Sequence, residues 1–302
     1  MPVPIPGTPA TSTSTFSTEF PARHYHQIMP PTRLPGPRPR KALGQHFLRD
    51  SGVLHDIAAA VGCPEGGFVL ELGAGTGQLT EALLERGFPV VAVEIEPRLV
   101  EHLRRRFRTA PDLRVLEADA RTVDISTVVP PGTPYAVAGN LPYFAANPII
   151  RHFLEGSPKP RQMVVMIQRE VAREITAPPG DWSLLTISVQ VYAEATRLFD
   201  VPPEAFDPPP AVHSSVIRLD LRAEPLVPRE RNADFFELVS KTFRNPRKQI
   251  HNSLARGVWL PPDGAGEALR IAEIDPMRRA ETLDIADWLR LLEACDEVRA
   301  GA

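Results

Sequence analysis

The tetrad Asn140-Leu141-Pro142-Tyr143 follows an apolar run at residues 135–139 and combines an amide, a proline and an aromatic ring. These groups could direct chemistry at an exocyclic amine of a purine, whose nitrogen lone pair is delocalised into the ring. If the Asn140 side-chain oxygen and the Leu141 carbonyl each accept one N–H, the lone pair turns toward an electrophile. Tyr143 offers a face for the base. The tetrad could also be a simple turn between a strand and a helix, so the surrounding elements decide its meaning.

A second candidate site is the stretch at residues 68–79, where Gly73, Gly75 and Gly77 follow an apolar segment and precede a helical pattern. The order strand, tight loop, helix is typical of a site for a nucleotide-like ligand, because glycine lets the ligand approach bare backbone. A dinucleotide fingerprint requires glycine at the sixth position of the motif, where this chain has Gln78. NAD binding is therefore disfavoured but stays open, as does a glycine turn without a ligand.

Acidic residues stand at the ends of the next two predicted strands. Glu94 closes the apolar run at residues 90–94, where a carboxylate could accept hydrogen bonds from both hydroxyls of a ribose. Asp119 follows the strand at 113–117, and it either accepts a hydrogen bond from an adenine amino group or is an ordinary surface aspartate. Glu71, the glycine run and Glu94 together resemble the S-adenosylmethionine (SAM) loop of class I methyltransferases.

Strand and helix patterns alternate through the first two thirds of the chain, which predicts an α/β fold with a parallel sheet covered on both faces. The resemblance of the glycine loop implies the Rossmann-like fold of class I SAM-dependent methyltransferases, with a seven-stranded, mostly parallel sheet as the expectation. Strands are predicted at residues 67–72, 89–94, 113–117, 135–139, 162–167, 184–191 and 212–221. Helices are predicted at residues 53–61, 78–86, 98–107, 147–155 and 171–175.

From residue 222 the pattern becomes entirely helical, which predicts a small all-α C-terminal domain. Its helices are expected at residues 232–243, 246–256, 265–272 and 283–298. The chain is therefore divided into a tail at 1–37, a catalytic domain at 38–221 and a helical domain at 222–302.

The amino-acid composition is that of a soluble globular protein. The 302 residues are 43% hydrophobic and 24% charged, as in ordinary soluble globular proteins. The two cysteines, Cys63 and Cys295, predict neither a disulfide framework nor a zinc site, and a reducing cytoplasm is the default location. Residues 1–37 are rich in Pro, Ser and Thr, which predicts disorder. Without a long apolar segment, neither a signal peptide nor a membrane span is expected.

The net charge of -3 hides two local basic stretches. Residues 1–50 contain six Lys or Arg residues against two acidic ones, and residues 241–256 contain five and no acidic residue. Such stretches can bind phosphates, although solvated helix faces give the same pattern.

Taken together, the motifs resemble the rRNA adenine N6,N6-dimethyltransferases in order and spacing from about residue 38 to the C-terminus, most of all the bacterial small-subunit (16S), or KsgA, type. The resemblance is carried by residues 44–48, 71–77, 94, 119, 140–143, 168–172 and 201–212. It implies dimethylation, with SAM, of two adjacent adenosines near the 3′ end of 16S rRNA in an immature small ribosomal subunit. It also implies a cytoplasmic monomer linked to ribosome biogenesis, and no metal, since a sulfonium is already a strong electrophile.

The resemblance further implies which residues bind the cofactor, namely His46, Leu48, Gly73, Gly75, Glu94, Asp119 and Asn140. His46 and Leu48 would contact its methionine end, Gly73 and Gly75 would pass beneath it, Glu94 would hold the ribose and Asp119 the adenine. Asn140 would touch both the cofactor and the target amine.

The implied catalytic residues are Asn140, Leu141, Tyr143 and Phe206, with Tyr143 and Phe206 stacking on the two faces of a flipped adenine. A basic signature at residues 243–254 supplies Arg244, Arg247 and Lys248 for RNA phosphates. The chain departs from the usual family pattern at His46, at residues 145–148 and 213–215, and at Pro246.

Three alternatives stay open on the sequence. The first is a methyltransferase acting on an adenosine of large-subunit (23S) rRNA, because the sister family shares most of these motifs. The second is a small-subunit assembly factor whose main contribution is binding. The third, less favoured, is a DNA adenine methyltransferase.

Overall fold

The computed structural model of the chain describes residues 46–245 and 247–301. The predicted disordered tail at 1–37 and the first residues of the motif at 44–48 lie outside this part. Among the helices of the described part, none is long and apolar enough to cross a membrane.

The strands of the described part are β1 (Phe47–Leu48), β2 (Phe68–Leu72), β3 (Val90–Glu94), β4 (Leu113–Glu117), β5 (Tyr135–Asn140), β6 (Gln162–Gln168), β7 (Ala193–Val201), β8 (Phe206–Asp207) and β9 (Ser214–Leu221). Seven of them form one sheet in the order β4-β3-β2-β5-β6-β9-β7, and β1 pairs with β8 in a separate two-stranded sheet. The first five strands in that order run parallel, and β9 is antiparallel to both β6 and β7. The predicted seven-stranded, mostly parallel sheet is therefore confirmed.

Helices cover both faces of the sheet. The alternation of side chains along β2 shows this, since Leu70 belongs to one buried cluster and Val69 to another. The C-terminal helices share the cluster of Leu70, so they pack onto the body of the protein. The helices are α1 (Ser51–Ala60), α2 (Gln78–Glu85), α3 (Pro97–Arg106), α4 (Ile125–Val128), α5 (Ala146–Glu155), α6 (Arg169–Ile175), α7 (Leu184–Gln190), α8 (Asn232–Thr242), α9 (Ile250–Gly257), α10 (Gly264–Ile271) and α11 (Ile285–Ala300).

The predicted strand at residues 184–191 is wrong, because this segment forms helix α7. The Ser183 hydroxyl accepts a hydrogen bond from the Thr186 N–H, and the Thr186 hydroxyl accepts one from the Ser183 N–H. This reciprocal capping stabilises the first turn of a helix. The strand of the sheet is instead β7, whose polar residues suit the edge position it occupies.

The predicted helix at 246–256 begins later than expected, because α9 starts at Ile250. The Ile250 N–H donates to the Arg278 carbonyl over 2.6 Å, and Gln249 forms a β-bridge with Arg279. This contact holds the chain extended just before α9. Arg247 and Lys248 therefore lie ahead of the helix rather than on it.

Candidate active site

The sequence-predicted cofactor and base residues all line one cavity at the carboxyl ends of the parallel strands. An open α/β sheet binds its ligands at this edge. The lining includes His46, Leu48, Gly73, Gly75, Glu94, Asp119, Asn140, Leu141, Tyr143 and Phe206. Arg244, Arg247 and Lys248 do not line this cavity, and they lie exposed on the C-terminal helical part.

The glycine loop between β2 and α2 presents its backbone to the cavity. Gly73 and Gly75 have φ values of 70° and 59°, in the left-handed region that L side chains rarely adopt. A Cβ on Gly75 would also lie only 3.2 Å from the Phe47 ring. The Gly73 N–H donates to the Val93 carbonyl over 2.8 Å, so the loop is tied to the neighbouring strand β3.

Glu94 ends β3 with its carboxylate turned into the glycine loop. One oxygen accepts the Gly75 N–H over 2.8 Å, and the other accepts the N–H groups of Ile95 and Glu96, each over 2.9 Å. Burial raises the pKa of Glu94, and the three hydrogen bonds oppose that effect. A carboxylate has about four acceptor positions. Glu94 therefore shapes the loop with three of them and keeps one for a ligand.

Asp119, just after β4, is paired with Arg121, whose guanidinium and N–H both donate to the carboxylate. The Arg121 hydrogen bond lowers the pKa of Asp119. Arg121 also lines the cavity and is partly exposed. A ligand amine that reaches Asp119 would thus share its carboxylate with the partly exposed guanidinium of Arg121.

Asn140, at the end of β5, has a fixed amide orientation. Its Nδ2 donates to the His46 carbonyl over 3.2 Å, which leaves Oδ1 as the acceptor of the side chain. The Leu141 N–H donates to the Met166 carbonyl over 3.1 Å, so the backbone after Asn140 is held by β6. The structure therefore presents an amide oxygen beside a restrained peptide segment, as the proposed amine chemistry requires.

Tyr143 and Phe206 reach the cavity from different parts of the chain. The Tyr143 hydroxyl is hydrogen-bonded to the buried Ser214 hydroxyl over 2.7 Å, and burial raises the pKa of Tyr143. Its phenol is therefore uncharged at neutral pH. Phe206 is brought in by the small sheet, in which it pairs with Leu48.

His46 connects these parts. Its Nδ1 donates to the Pro208 carbonyl over 2.8 Å, and its ring is stacked with Tyr143 at a centroid distance of 6.2 Å. The backbone carbonyl of the same residue holds Asn140. His46 lines the cavity, and its ring lies beside Tyr143, which is predicted to stack on the base.

Many lining residues were not predicted as site residues, among them Glu71, Ile95, Arg121 and Phe144. Ile95 and Phe144 are 52% and 64% exposed, although both are large and apolar. Ile95 directly follows Glu94, and Phe144 directly follows Tyr143. Their positions next to predicted site residues could therefore have identified them from the sequence.

Glu71 lies beneath the loop with its side chain buried. Burial raises its pKa to about 8, while the Thr80 hydroxyl, which donates to Oε2 over 2.6 Å, opposes the rise. A carboxyl with a folded-state pKa above its unfolded value of 4.5 stabilises the fold at low pH, and this contribution is lost as the pH rises toward 8.

We therefore expect the Tm of the protein to fall between pH 5 and pH 8. Glu71→Gln should remove the part of this fall that comes from Glu71, which corresponds to up to about 4 kcal/mol in the free energy of unfolding. Thermal unfolding of both proteins across this pH range measures the effect. Glu65→Gln, at an exposed site, is the control and should keep the wild-type slope. A wild-type slope in Glu71→Gln would show that Glu71 is ionised at neutral pH in the folded protein.

The donors and acceptors of the cavity fit SAM. Bare glycine backbone gives room for a close ligand, and Glu94 has an acceptor position for a hydroxyl. The exposed Ile95 offers an apolar surface for a purine, and Asp119 lines the same cavity with an acceptor. The fold and this site define a class I SAM-dependent methyltransferase.

A family model described as ribosomal RNA adenine dimethylase matches residues 37–297. The chain belongs to this family and is a SAM-dependent rRNA adenine dimethyltransferase. The family and the cofactor predicted from the sequence are confirmed.

Curated relatives cover most of the chain. "Ribosomal RNA small subunit methyltransferase A" of Desulfitobacterium hafniense is 42% identical over 262 residues, which span 86% of this chain and 93% of the relative. The protein of the same name from Dehalococcoides mccartyi is 38% identical over 252 residues, spanning 83% and 87%.

Two solved structures are similar over 83% of this chain. One is a dimethyladenosine transferase from Plasmodium falciparum, with a TM-score of 0.71, 25% identity and 98% of its own chain covered. The other is the 23S rRNA methyltransferase ErmE, with a TM-score of 0.65, 32% identity and 99% of its own chain covered.

Proposed function

We propose that this enzyme transfers two methyl groups to N6 of each of two adjacent adenosines near the 3′ end of 16S rRNA. Its substrate is an immature small ribosomal subunit, and it acts as a cytoplasmic monomer. The target is supported by the small-subunit name of relatives that match most of the chain. The chemistry is supported above all by the Asn140 amide, whose oxygen is left as an acceptor at the cavity by the bond from its nitrogen to His46.

In the first transfer Asn140 Oδ1 and the Leu141 carbonyl each accept one N–H of the target amine, which turns the nitrogen lone pair out of conjugation. N6 releases one proton for each methyl group that it gains, so in the second transfer one of the two oxygens accepts the remaining N–H. SAM, when bound, supplies an electrophilic methyl group on a sulfonium. No side chain needs a tuned pKa for this reaction, so the contribution of the protein is alignment. Holding reactants in near-attack geometry can lower a barrier by about 7–11 kcal/mol.

Cofactor binding is assigned to the part of the cavity lining that includes the glycine loop. Gly73 and Gly75 allow the cofactor to lie close to the loop backbone. Glu94 accepts a hydrogen bond from a ribose hydroxyl at its remaining acceptor position. Asp119 accepts from the adenine amino group, and His46 and Leu48 close the methionine end. All six line the same cavity, which supports this assignment.

Tyr143 and Phe206 hold the flipped adenine between their rings. Stacking of this kind contributes about 1–3 kcal/mol per base, which offsets much of the few kcal/mol needed to extrude it. Two hydrogen bonds support this role. The one from Tyr143 to Ser214 restrains the Tyr143 ring, and the one from His46 to Pro208 restrains the chain just after Phe206.

RNA is held by the helical domain at 222–302, next to the catalytic domain at 38–221. Arg244, Arg247 and Lys248 are exposed, and within the described part of the chain none of them forms an ion pair. Uncompensated cations of this kind attract phosphates.

Replacing Arg247 or Lys248 by glutamine is expected to weaken RNA binding and to reduce the slope of log K against log salt concentration by about one per contact. Filter binding of small subunits at several salt concentrations measures the slope. Arg270→Gln is a suitable control, because Arg270 is exposed but paired with Glu267. A slope unchanged in both variants would remove these residues from the RNA interface.

A large-subunit target is the second candidate, favoured by the similarity to the 23S rRNA methyltransferase ErmE. Purified small and large subunits, each incubated with the protein and SAM labelled in its methyl group, distinguish the two. We expect label in immature small subunits. Label that enters only the large subunit would overturn the proposed target.

A further inference from the structure

Phe144 has no role in the proposed reaction, yet its position is unusual for a phenylalanine. It directly follows the base-binding tetrad and lines the cavity, but 64% of it is exposed. The apolar residues Leu141 and Ala145 of the same turn are only 1% and 4% exposed. A phenylalanine left largely in water forgoes most of the stabilisation that burying its ring would give. An aromatic ring at the mouth of a binding site is thus available to a ligand.

The chain around Phe144 is well fixed. The Ala145 N–H donates to the Pro142 carbonyl over 2.8 Å, and α5 begins at the next residue. Tyr143 is anchored through Ser214. The Phe144 backbone therefore lies between two restrained residues, so the ring is presented from a rigid turn. A rigid support lowers the conformational entropy lost when a ring binds.

The occupant can be argued from the reaction. When one adenine enters the cavity, the nucleotide next to it stays outside, at the mouth. A base that has lost its stacking partner through flipping exposes an aromatic face, and every base can stack on an aromatic side chain. Among the other large apolar side chains exposed in the described part, Ile95 also lines the cavity, where it is placed at the cofactor's purine, whereas Leu226 and Met277 do not line it.

We propose that Phe144 stacks on the second of the two adjacent adenosines while the first occupies the cavity. This inference rests on the proposed function, since it takes rRNA with adjacent target adenosines as the substrate. Phe144 thereby holds the neighbouring base at the mouth of the cavity while the adenine inside is methylated.

The test is methyl transfer to small subunits by Phe144→Ala, Phe144→Leu and Phe144→Tyr, with Leu226→Ala as a control at a distant exposed apolar site. We expect Phe144→Ala to raise KM for the subunit by about 5- to 150-fold, the equivalent of one stacked base. The dissociation constant for SAM should not change. Phe144→Tyr should behave as wild type, and Phe144→Leu should resemble Phe144→Ala because leucine lacks a ring.

Small subunits reconstituted with an abasic second adenosine complete the test. On this substrate wild type and Phe144→Ala should have the same KM, because the stacking partner is gone. The proposal is overturned if the difference persists there, if Phe144→Leu matches wild type, or if the loss follows SAM affinity. If methylation occurs only on the large subunit, the proposed target fails, and the same comparison on that substrate still decides the role of Phe144.

Discussion

Asn140→Ala is expected to lower the single-turnover rate of methyl transfer by about 100- to 1,000-fold at saturating SAM and RNA. Loss of one preorganised hydrogen-bonding group at a reacting centre has effects of this size. The variant removes the Oδ1 acceptor, so one amine hydrogen is left without a partner and the nitrogen lone pair stays conjugated with the purine. Rapid-quench measurement of label transferred to small subunits gives the rate.

Two further variants separate chemistry from folding. Asn140→Asp keeps an acceptor oxygen and should be more active than Asn140→Ala, although it loses the donor to the His46 carbonyl. Asn147→Ala, at an exposed position in the first turn of α5, should be as active as wild type. Asn140→Ala with a near wild-type rate would mean that the amide does not orient the amine, and the proposed role of the tetrad would be wrong.

Glu94→Ala should weaken SAM binding by at least about 100-fold and also lower the Tm of the ligand-free protein. The substitution leaves the N–H groups of Gly75, Ile95 and Glu96 without their acceptor. Each buried donor without a partner costs about 1–3 kcal/mol. The glycine loop would lose its anchor, and the ribose would lose its acceptor. Isothermal titration calorimetry and thermal unfolding measure the two effects.

The strand register supplies a matched control. Glu117 is the register partner of Glu94 on β4, but it is exposed. Glu117→Ala should leave SAM binding and Tm unchanged. Glu94→Gln should be intermediate, since its amide oxygen still accepts from Ile95 and Glu96 while its NH2 group faces the Gly75 N–H. Wild-type SAM affinity in Glu94→Ala would exclude a role of this carboxylate at the cofactor.

The parallel strands and the glycine loop could be predicted from sequence, because their signals are local. Strand β2 is fully buried, so it is apolar apart from Glu71, and the following turn requires glycine at positive φ. The acid that ends β3 and the tetrad that ends β5 were found by their position after such strands. Parallel strands place these ends at one edge, and the structure brings the residues together there.

The segment from 184 to 201 could not be predicted in this way. A short apolar run fits both a buried helix and a strand, and only the cap at Ser183 decides for α7. The true strand β7 lies at the sheet edge and is largely polar, so it carries little hydrophobic signal. Short elements at the edge of a sheet are fixed mainly by their tertiary contacts, so the local sequence does not predict them.

The contacts of His46 illustrate the same limit for the site. Its hydrogen bond to Pro208 joins residues 162 positions apart, and it depends on the pairing of β1 with β8. No local pattern encodes that pairing. By contrast, Arg121 stands two residues after Asp119, so their pairing could have been anticipated.

The central claim is that Asn140 and Leu141 together accept both hydrogens of the target amine. A crystal structure of the protein with an unreactive SAM analogue and an RNA fragment containing the target adenosines measures this directly. We predict N6 of the flipped adenine within about 3.2 Å of both Asn140 Oδ1 and the Leu141 carbonyl oxygen. An adenine in the cavity whose amine points away from these two oxygens would contradict the account.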